Sequence, residues 1–347
     1  MDVERARDGA SVVSDTRLRV GLDLDGSLEW LSNSMVDLAA ALGERGDLDL
    51  QCFRTLSRRR SPTEVKLAQR ALWAPWWRRS RGRSLDTMLA PLDVIHIAGR
   101  ATPPTKTTPL LISVDDLRPL RADKQHQRVV QLQRAVRRGA ILVVSSRAAS
   151  HEVRAAMGLA RPELAVVRPP LGYVPPTVGG SALVVSITDS SGGLEQQTRD
   201  LQSFATRHHC ELVVVASAAV VARLHAAHVN ASFVQRGRTP EALARARCVV
   251  HISDGARFPS FAVAALAAGV PTLASTSAIN RELLSGAAAL VATGEETLGV
   301  LEDLWVNESR RAILTAAGTA RASDFSPWTV ASAYAALYSD VAKRHFA

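Results

Sequence analysis

The sequence contains few of the residues that build disulfide, metal or membrane-spanning structures. Only three cysteines occur in 347 residues, at Cys52, Cys210 and Cys248, and they are widely separated. No spacing of cysteine and histidine matches a zinc site, so we expect buried free thiols, no disulfide framework and no metal cofactor. No run of about 18 apolar residues occurs, and residues 1–16 lack the apolar core of a signal peptide. We therefore expect a cytoplasmic protein that can still bind the inner face of a membrane peripherally.

Motifs of several enzyme classes are also missing. The sequence has neither the Gly-x-Ser-x-Gly elbow of α/β-hydrolases nor the glycine- and lysine-containing loop of P-loop nucleotidases. Lysine is scarce towards the end of the chain, where Lys343 is the only one after Lys124. Backbone N–H groups and arginines are therefore the candidate phosphate ligands in the second half.

The residues that are present indicate packed globular domains. Hydrophobic residues make up 47% of the chain, which is too high a share for a disordered protein. A chain of 347 residues is longer than one ordinary core supports, so we expect two domains. The net charge is +9, and the basic excess is concentrated between Arg54 and Arg83, where nine arginines and one lysine accompany a single acid, Glu64.

Strand and helix patterns alternate along the chain and restart once. This alternation predicts parallel sheets covered by helices on both faces. Residues 168–180 interrupt it with four prolines and three glycines. The predicted fold class is α/β, with two Rossmann-like doubly wound domains and a cleft between them. The predicted boundaries are a flexible tail at 1–16, a first domain at 17–168, a linker at 169–180, a second domain at 181–327 and a final helix at 328–347 that packs back on the first domain.

The stretch 258–275 combines a helix, a glycine and a strand. Pro259 and Ser260 are typical of a helix start, the alanine-rich run 262–268 favours helix, and Gly269 fits its C-cap. A buried strand follows the glycine. Because a helix N-terminus offers unpaired N–H groups and a partial positive charge, this start is a predicted phosphate site.

Seven segments carry a resemblance to one enzyme class. Those in the first half are DVIHIAG at 93–99, PLLISVDDL at 109–117, ILVVSSRAASHEV at 141–153 and VVRPPLGYV at 166–174. Those in the second half are FVQRGRTPEALARARCVVHIS at 233–253, AALAAGVPTLASTSAINREL at 264–283 and FSPWTVASAYAALY at 325–338. In this order they resemble the retaining nucleotide-sugar glycosyltransferases of the GT-B class, family-4-like (glycosyl transferases group 1).

The resemblance implies a two-domain GT-B fold and metal-free transfer of a sugar from a nucleotide diphosphate donor. The donor positions, however, depart from the family pattern. The family's paired glutamates fall on Ala256 and Ala264, whose methyl groups cannot accept hydrogen bonds from sugar hydroxyls. The family's acceptor-side histidine falls on Asp115, and the loop 187–193, where the family has an arginine and a lysine, contains no basic residue. The resemblance therefore predicts a degraded donor site.

Candidate site residues follow from the motifs and the resemblance. Asp115 is the candidate catalytic residue, as an acid/base group or a sugar-hydroxyl ligand, and the alternative is a helix N-cap or a turn carboxylate. The candidate donor- and phosphate-binding residues are Ser190, Ser191, Gly192, Gly193, Arg238, Arg257, Phe258, Ser260 and Glu282. The candidate acceptor or cleft residues are Gly26, His96, Asp116 and Ser145. The alternatives are a turn or helix cap for Asp116, a hydrogen-bonded core histidine for His96, a helix cap for Ser145 and a surface charge for Glu282.

The basic segment between Arg54 and Arg83 also contains three tryptophans. Arginines attract anionic head groups and tryptophan prefers the membrane interface, so the segment predicts peripheral contact with an anionic membrane. The predicted patch comprises Arg58, Arg59, Arg60, Trp73, Trp76, Trp77, Arg78 and Arg79. The alternatives are a core-facing Trp73 within a solvated basic loop, and nucleic-acid binding, for which no recognised module is present.

Two specific functions remain open at this point, beside a less specific third, a different Rossmann-type ligand-binding protein. The first is a retaining, nucleotide-sugar-dependent glycosyltransferase of cell-surface glycan or glycolipid assembly, acting on a lipid-linked or glycan acceptor. The second is a catalytically silent GT-B scaffold or pseudoenzyme that partners an active glycosyltransferase paralogue. The missing donor residues leave open whether the chain is an enzyme.

Overall fold

Two parallel six-stranded sheets, each covered by helices, form the protein, as the sequence predicts. The computed structural model describes residues 17–26, 29–57, 63–122, 126–158, 164–188, 193–235, 238–292 and 294–346. We call the part built on the first sheet the first lobe and the part built on the second sheet the second lobe. Each lobe has the doubly wound arrangement in which ligands bind beyond the carboxyl ends of the strands.

The first lobe has the strand order β2-β1-β3-β4-β5-β6. Its central strands are mostly apolar, with His96 and Ser113 as buried polar exceptions, because both faces of the sheet are covered by helices. The strands are β1 Leu18–Asp23, β2 Leu48–Phe53, β3 Val94–Ile97, β4 Leu110–Val114, β5 Ile141–Val144 and β6 Leu164–Val166. The helices are α1 Glu29–Gly43, α2 Arg70–Trp77, α3 Arg118–Ala122, α4 Gln127–Val136 and α5 Arg147–Met157, with a 3₁₀ turn at Leu85–Thr87.

The second lobe has the strand order β12-β11-β10-β7-β8-β9. Its strands are β7 Ala182–Ile187, β8 Leu212–Ala216, β9 Ser232–Gln235, β10 Ala246–Ile252, β11 Thr272–Ser275 and β12 Ala289–Val291. Its helices are α6 Leu194–Arg207, α7 Ala218–Ala226, α8 Thr239–Leu243, α9 Ser260–Ala267, α10 Ala278–Leu284, α11 Gly294–Val306 and α12 Glu308–Ala322, followed by a 3₁₀ turn at Ser323–Phe325. In α9 nearly every side chain is buried, which explains why alanine and small apolar residues fill it.

The last helix, α13 Pro327–Phe346, returns to the first lobe. It packs against α1 and β3, and its apolar side chains join the core cluster that contains Val20, Leu38 and Leu42. Tyr334 and Tyr338 are buried in this cluster. The chain therefore crosses between the lobes twice, once through the proline-rich linker and once before α13.

One apolar cluster is continuous across the two lobes. It includes Val153 and Met157 of α5, Ile279 and Leu283 of α10, and Phe325. Helices α5 and α10 are in direct contact. Burial of apolar surface at this junction stabilises the arrangement of the lobes by roughly 25 cal/mol for each Å² removed from water.

The basic segment between Arg54 and Arg83 contains the short helix α2. Residues 58–62 lie outside the described residues, and α2 begins only after Gln69, which has a left-handed φ of 53°. The three cysteines are free thiols, and burial raises the pKa of Cys248 to about 12. No helix in the described ranges combines the length and apolarity needed to span a bilayer.

Candidate functional site

Several acidic side chains lie at the carboxyl edge of the first sheet. Asp23 ends β1 and is fully buried, and its carboxylate accepts hydrogen bonds from the backbone N–H groups of Asp25 and Thr55 and from the Thr55 hydroxyl. Burial raises the pKa of Asp23 well above its ordinary value. Gly99, after β3, comes so close that a Cβ there would lie 2.5 Å from the backbone oxygen of Asp25. This edge is therefore packed tightly between β1 and β3.

His96 belongs to the core, so the prediction that it faces the cleft is wrong. Its side chain is fully buried, with Nδ1 2.8 Å from the Tyr338 hydroxyl and Nε2 2.9 Å from the Ser113 hydroxyl. Burial lowers the pKa of His96 to about 3, so the ring is neutral at physiological pH. The return of α13, which supplies Tyr338, places His96 inside the lobe and leaves no face of the ring for a ligand.

A cavity of about 400 Å³ opens beyond the end of β4. Asp115, which is only 7% exposed, is one of the buried polar residues in its wall. Among the residues that the structure describes, Asp115 Oδ2 is buried and has no hydrogen-bond partner. Burial raises the pKa of Asp115 to about 7, and the positive charge of Arg128 opposes this rise. With a pKa of about 7, the carboxyl group is partly protonated and partly ionised near neutral pH.

Most of the other charged groups around this cavity are basic. Arg128, at the start of α4, donates hydrogen bonds to the backbone oxygens of Gly99 and Arg100, and burial lowers its pKa to about 10. Arg118 is paired with Asp116 at 2.6 Å. Arg78 and Arg100 line the cavity with exposed guanidinium groups, and no carboxylate of a described residue pairs with either. The full lining is Arg78, Arg100, Ser113, Val114, Asp115, Asp116, Arg118, Pro119, His126, Gln127, Arg128 and Gln131.

Direct contacts between the lobes cover the loop before α9. We call this set the interlobe contact, formed by Asp116, Leu117 and Arg121 of the first lobe and residues 254–257 of the second. The Leu117 N–H donates to the Ala256 oxygen at 2.8 Å, within an antiparallel bridge between Asp116 and Arg257. The Arg257 guanidinium is 3.3 Å from Asp116. Arg121 donates to the backbone oxygens of residues 254 and 255 and forms an ion pair with Asp254.

Glu282 also connects the two lobes. Its carboxylate accepts the backbone N–H groups of Arg147 at 2.8 Å and Ala148 at 2.9 Å, at the start of α5. An acidic group at a helix N-terminus satisfies free donors and interacts favourably with the helix dipole. Glu282, which the sequence predicts to bind the donor, thus caps a helix of the first lobe from the second lobe.

The start of α9 lies next to the interlobe contact. Pro259 is the N-cap residue and Ser260 the first helical residue, and no side chain caps this end. The Phe258 side chain is buried against Phe325, with ring centroids 5.6 Å apart, so it belongs to the junction core. Any phosphate contact at this end would come from backbone N–H groups, as the sequence prediction holds.

The remaining predicted donor and cleft residues are dispersed. Ser190, Ser191 and Gly192 lie outside the described residues, and Gly193 is the left-handed N-cap of α6. Arg238 is exposed and paired with Glu241. Gly26 follows β1 and is half-buried, and Ser145 is buried at the end of β5. The cap of α5 is made by the neighbouring Ser146, whose hydroxyl accepts the Ala149 N–H, and not by Ser145.

The predicted membrane patch is only partly a surface. Trp77 is fully buried and its indole N–H donates to the Arg83 oxygen, so its inclusion in the patch is wrong. Trp73 is half-buried, whereas Trp76 is 47% exposed. Arg78 lines the cavity and Arg79 is exposed, and Arg58, Arg59 and Arg60 lie outside the described residues. The end of α2 is joined to the loop that follows β3, where Thr102 donates hydrogen bonds to the backbone oxygen of Trp77.

Sequence reasoning missed four first-lobe arginines of the cavity and of the interlobe contact. Arg100, Arg118, Arg121 and Arg128 all follow β3 or β4 in the chain. Their common signal is position, since loops after parallel strands meet at one edge of the sheet. Within the described part of the chain, no group of three histidine, cysteine or acidic side chains is arranged to hold a metal ion.

Comparison with solved structures identifies the fold. Sucrose-phosphate synthase from Thermosynechococcus elongatus is similar with a TM-score of 0.66 and 13% identity, over 94% of this chain and 99% of that one. HepE from Anabaena, in complex with UDP and glucose, has a TM-score of 0.63 and 16% identity over 93% and 99% of the two chains. WaaG, a glycosyltransferase involved in lipopolysaccharide biosynthesis, has a TM-score of 0.62 and 14% identity over 92% and 99%. No protein-family model and no curated protein sequence matches the chain. The chain has the two-domain GT-B fold of these glycosyltransferases.

Proposed function

We propose that this GT-B protein serves cell-surface glycan or glycolipid assembly and that its donor crevice no longer captures a nucleotide diphosphate sugar tightly. The observation that carries the proposal is the identity and the burial of Ala256. It stands where the resembled family has a glutamate, it is fully buried, and its backbone oxygen is bonded to Leu117 of the other lobe. A side chain without acceptors, covered by the opposite lobe, cannot bind the hydroxyl groups of a donor sugar.

The expected loss of donor affinity is large. Each charge-assisted hydrogen bond to a buried ligand group is worth roughly 1.5–3 kcal/mol. The two alanines, together with the missing arginine and lysine of the loop after β7, remove about four such contacts, or roughly 6–12 kcal/mol if the losses add. A micromolar complex corresponds to about 8 kcal/mol, so binding should weaken to the millimolar range or beyond.

Titration calorimetry with UDP- and GDP-sugars tests this proposal, and the HepE complex with UDP and glucose makes UDP-glucose the first ligand to try. We expect no heat of binding at micromolar concentrations. The Asp116→Ala variant, which weakens the interlobe contact, should also give no heat of binding if the missing donor-binding side chains cause the loss of affinity. Micromolar binding by the unmodified protein would contradict the proposal, and binding by the variant alone would show that lobe closure is the cause.

A second candidate function is supported by Asp115. Its carboxyl group ends β4, faces a cavity and lacks a hydrogen-bond partner among described residues, as a group awaiting an acceptor hydroxyl would. In this alternative the protein is a retaining transferase that binds donor phosphates through backbone N–H groups near Ser260, with help from Arg257. Transfer of radiolabelled sugar to a glycolipid extract, abolished in Asp115→Ala, would favour the enzyme.

The exposed side of α2 supports a proposal of membrane contact. Leu72 is 59% exposed and Trp76 47% exposed, one helical turn apart, and Arg79 and Arg81 are exposed beside them. Apolar side chains surrounded by arginines suit the surface of an anionic bilayer on the cytoplasmic side. We expect phosphatidylglycerol vesicles to retain the protein at low salt and Trp76→Ser to reduce retention.

A matched control is available for this experiment. Trp328 is 56% exposed at the start of α13, outside the basic segment, so Trp328→Ser should leave vesicle binding unchanged. Equal losses in both variants, or no retention of the unmodified protein, would refute membrane contact through α2.

A scaffold function predicts in addition that the chain copurifies with an active glycosyltransferase paralogue and raises the rate of that paralogue.

A further inference from the structure

We propose that a second, smaller cavity in the first lobe binds a phosphate group, carried by a small molecule or by a lipid. The cavity lies at the amino-terminal edge of the sheet, because its lining includes Leu110, the first residue of β4, and Ala140, which directly precedes β5. The candidate functional site lies at the opposite, carboxyl edge. The proposal goes beyond the proposed function, because it involves neither the donor crevice nor Asp115.

The volume of this cavity limits the ligand to a small group. The cavity measures about 120 Å³, whereas sites that enclose whole small molecules usually measure roughly 300–1,000 Å³. A nucleotide or a complete sugar is therefore too large to be enclosed, but a tetrahedral group with four oxygens fits. The rest of the ligand stays outside, on the surface of the protein.

The ionisable side chains around the cavity are basic. Lys106, Arg138 and His345 line it, and no aspartate or glutamate is among its described lining residues. Neither Lys106 nor Arg138 forms an ion pair with a carboxylate of a described residue. Guanidinium and ammonium groups bind phosphate oxygens through charge-assisted hydrogen bonds. A phosphate monoester, with a charge of about −1.5 to −2 and three strong acceptor oxygens, gains more from several such donors than a carboxylate does.

Arg138 is held in place before any ligand binds. Its Nη1 donates a hydrogen bond to the backbone oxygen of Ser80 at 2.9 Å, while Nε and Nη2 donate to no described residue. Ser80 also lines the cavity, and it is buried with a left-handed φ of 52°, which is uncommon for a residue other than glycine. A guanidinium group fixed at one nitrogen keeps its other donors for a ligand and loses less entropy when the ligand binds.

The loop that supplies Lys106 is also fixed. Asp86 Oδ2 accepts the backbone N–H groups of Lys106 at 2.6 Å and Thr107 at 2.9 Å. Asp86 is not a lining residue of the cavity, and these two donors offset its negative charge. The cavity therefore presents its cations from a fixed loop and from the segment after α4, as a preorganised anion site requires.

The position of the cavity allows two sources of the phosphate group. The N–H groups of Arg79 and Arg81, on either side of Ser80, both donate to the backbone oxygen of the exposed Trp76. The wall of the cavity is thus directly joined to the apolar side of α2. A lipid phosphate in the cavity has its chains beside Trp76, and this source rests on the proposed membrane contact. A free phosphate compound needs no membrane.

Calorimetric titration of the full chain with inorganic phosphate, at constant ionic strength, tests the site. We expect millimolar binding of phosphate and weaker binding of acetate, which has fewer oxygens and a single charge. Lys106→Gln and Arg138→Gln should each weaken phosphate binding about 3- to 10-fold, the range expected for a partly exposed charged contact. Lys106 is exposed, so its variant keeps the fold even if Arg138→Gln does not.

The matched control is Arg137→Gln, because Arg137 is exposed beside Arg138 but does not line the cavity. It should leave phosphate binding unchanged. Absence of phosphate binding, acetate binding as tight as phosphate binding, or equal affinities in the control and in both test variants would overturn the proposal.

Vesicles distinguish the two sources. If a lipid supplies the phosphate, vesicles of phosphatidic acid, a phosphate monoester, should retain the protein better than phosphatidylglycerol vesicles of equal charge, and Lys106→Gln should remove this preference. Equal retention by both lipids, with phosphate bound in solution, would assign the cavity to free phosphate compounds. No retention by either lipid, with phosphate bound in solution, would give the same assignment and refute only the membrane contact of α2.

Discussion

Replacing Asp115 by asparagine should stabilise the protein at high pH and leave it unchanged at low pH. Burial raises the pKa of this carboxyl group from 3.8 to about 7. The folded state therefore keeps a proton that the unfolded chain loses, and the stability this provides is present below pH 3.8 and lost as pH rises towards 7. Asparagine has a similar shape and does not titrate, so the variant avoids this loss.

The size of the effect follows from the pKa difference. One pH unit of pKa difference corresponds to about 1.4 kcal/mol, so full ionisation of Asp115 costs the folded state about 4 kcal/mol at most. The difference in free energy of unfolding between variant and unmodified protein should thus be near zero at pH 4 and reach about 2–4 kcal/mol at pH 8. Urea unfolding across this range measures it.

The titration of His96 does not disturb this comparison. Burial lowers its pKa to about 3, so the folded state loses stability as pH falls below 6.5, the opposite slope to that of Asp115. Both proteins contain His96, so its contribution cancels in the difference between them. A difference that stays flat with pH, or a variant less stable at every pH, would refute the view that Asp115 is a buried carboxyl whose Oδ2 has no hydrogen-bond partner among the described residues.

Three further changes test the structure more locally. Glu282→Gln should weaken the cap on α5 by about 1–2 kcal/mol and speed hydrogen exchange at the amides of Arg147 and Ala148; unchanged exchange would contradict the cap. Gly99→Ala should destabilise the protein by about 1–3 kcal/mol, measured as a lower Tm, because the new methyl group meets the backbone of Asp25. Tyr338→Phe leaves a buried nitrogen of His96 without its partner and should cost about 1–3 kcal/mol by calorimetry; a neutral result would argue against the buried bond.

The fold was predictable from the sequence because its signals are local and repeated. Apolar runs such as β5 and β8 are bounded by helices and turns, and the proline-rich stretch before Ala182 marks the restart. The start of α9 after Pro259 and its end before Gly269 also match the prediction, since a glycine with φ of 74° follows the helix. Each of these features depends on neighbours in the chain.

The site was less predictable because it depends on distant partners. Nothing near Glu282 indicates that its carboxylate caps a helix 135 residues earlier in the chain. For His96 the sequence left both a cleft and a core position open, and only the return of α13, which begins at Pro327 and places Tyr338 beside it, decides for the core. Trp76 and Trp77 are neighbours on the same short helix, and the tertiary contacts of that helix decide which indole is buried.

The return of α13 constrains how the protein can be divided. A chain cut in the linker would separate the first sheet from the helix that covers α1 and hydrogen-bonds His96 through Tyr338. Such a fragment would expose Val20 and Leu38 to water and would tend to aggregate. An isolated first lobe suitable for ligand studies therefore requires a circular permutant or a fusion that restores residues 327–346 to the fragment.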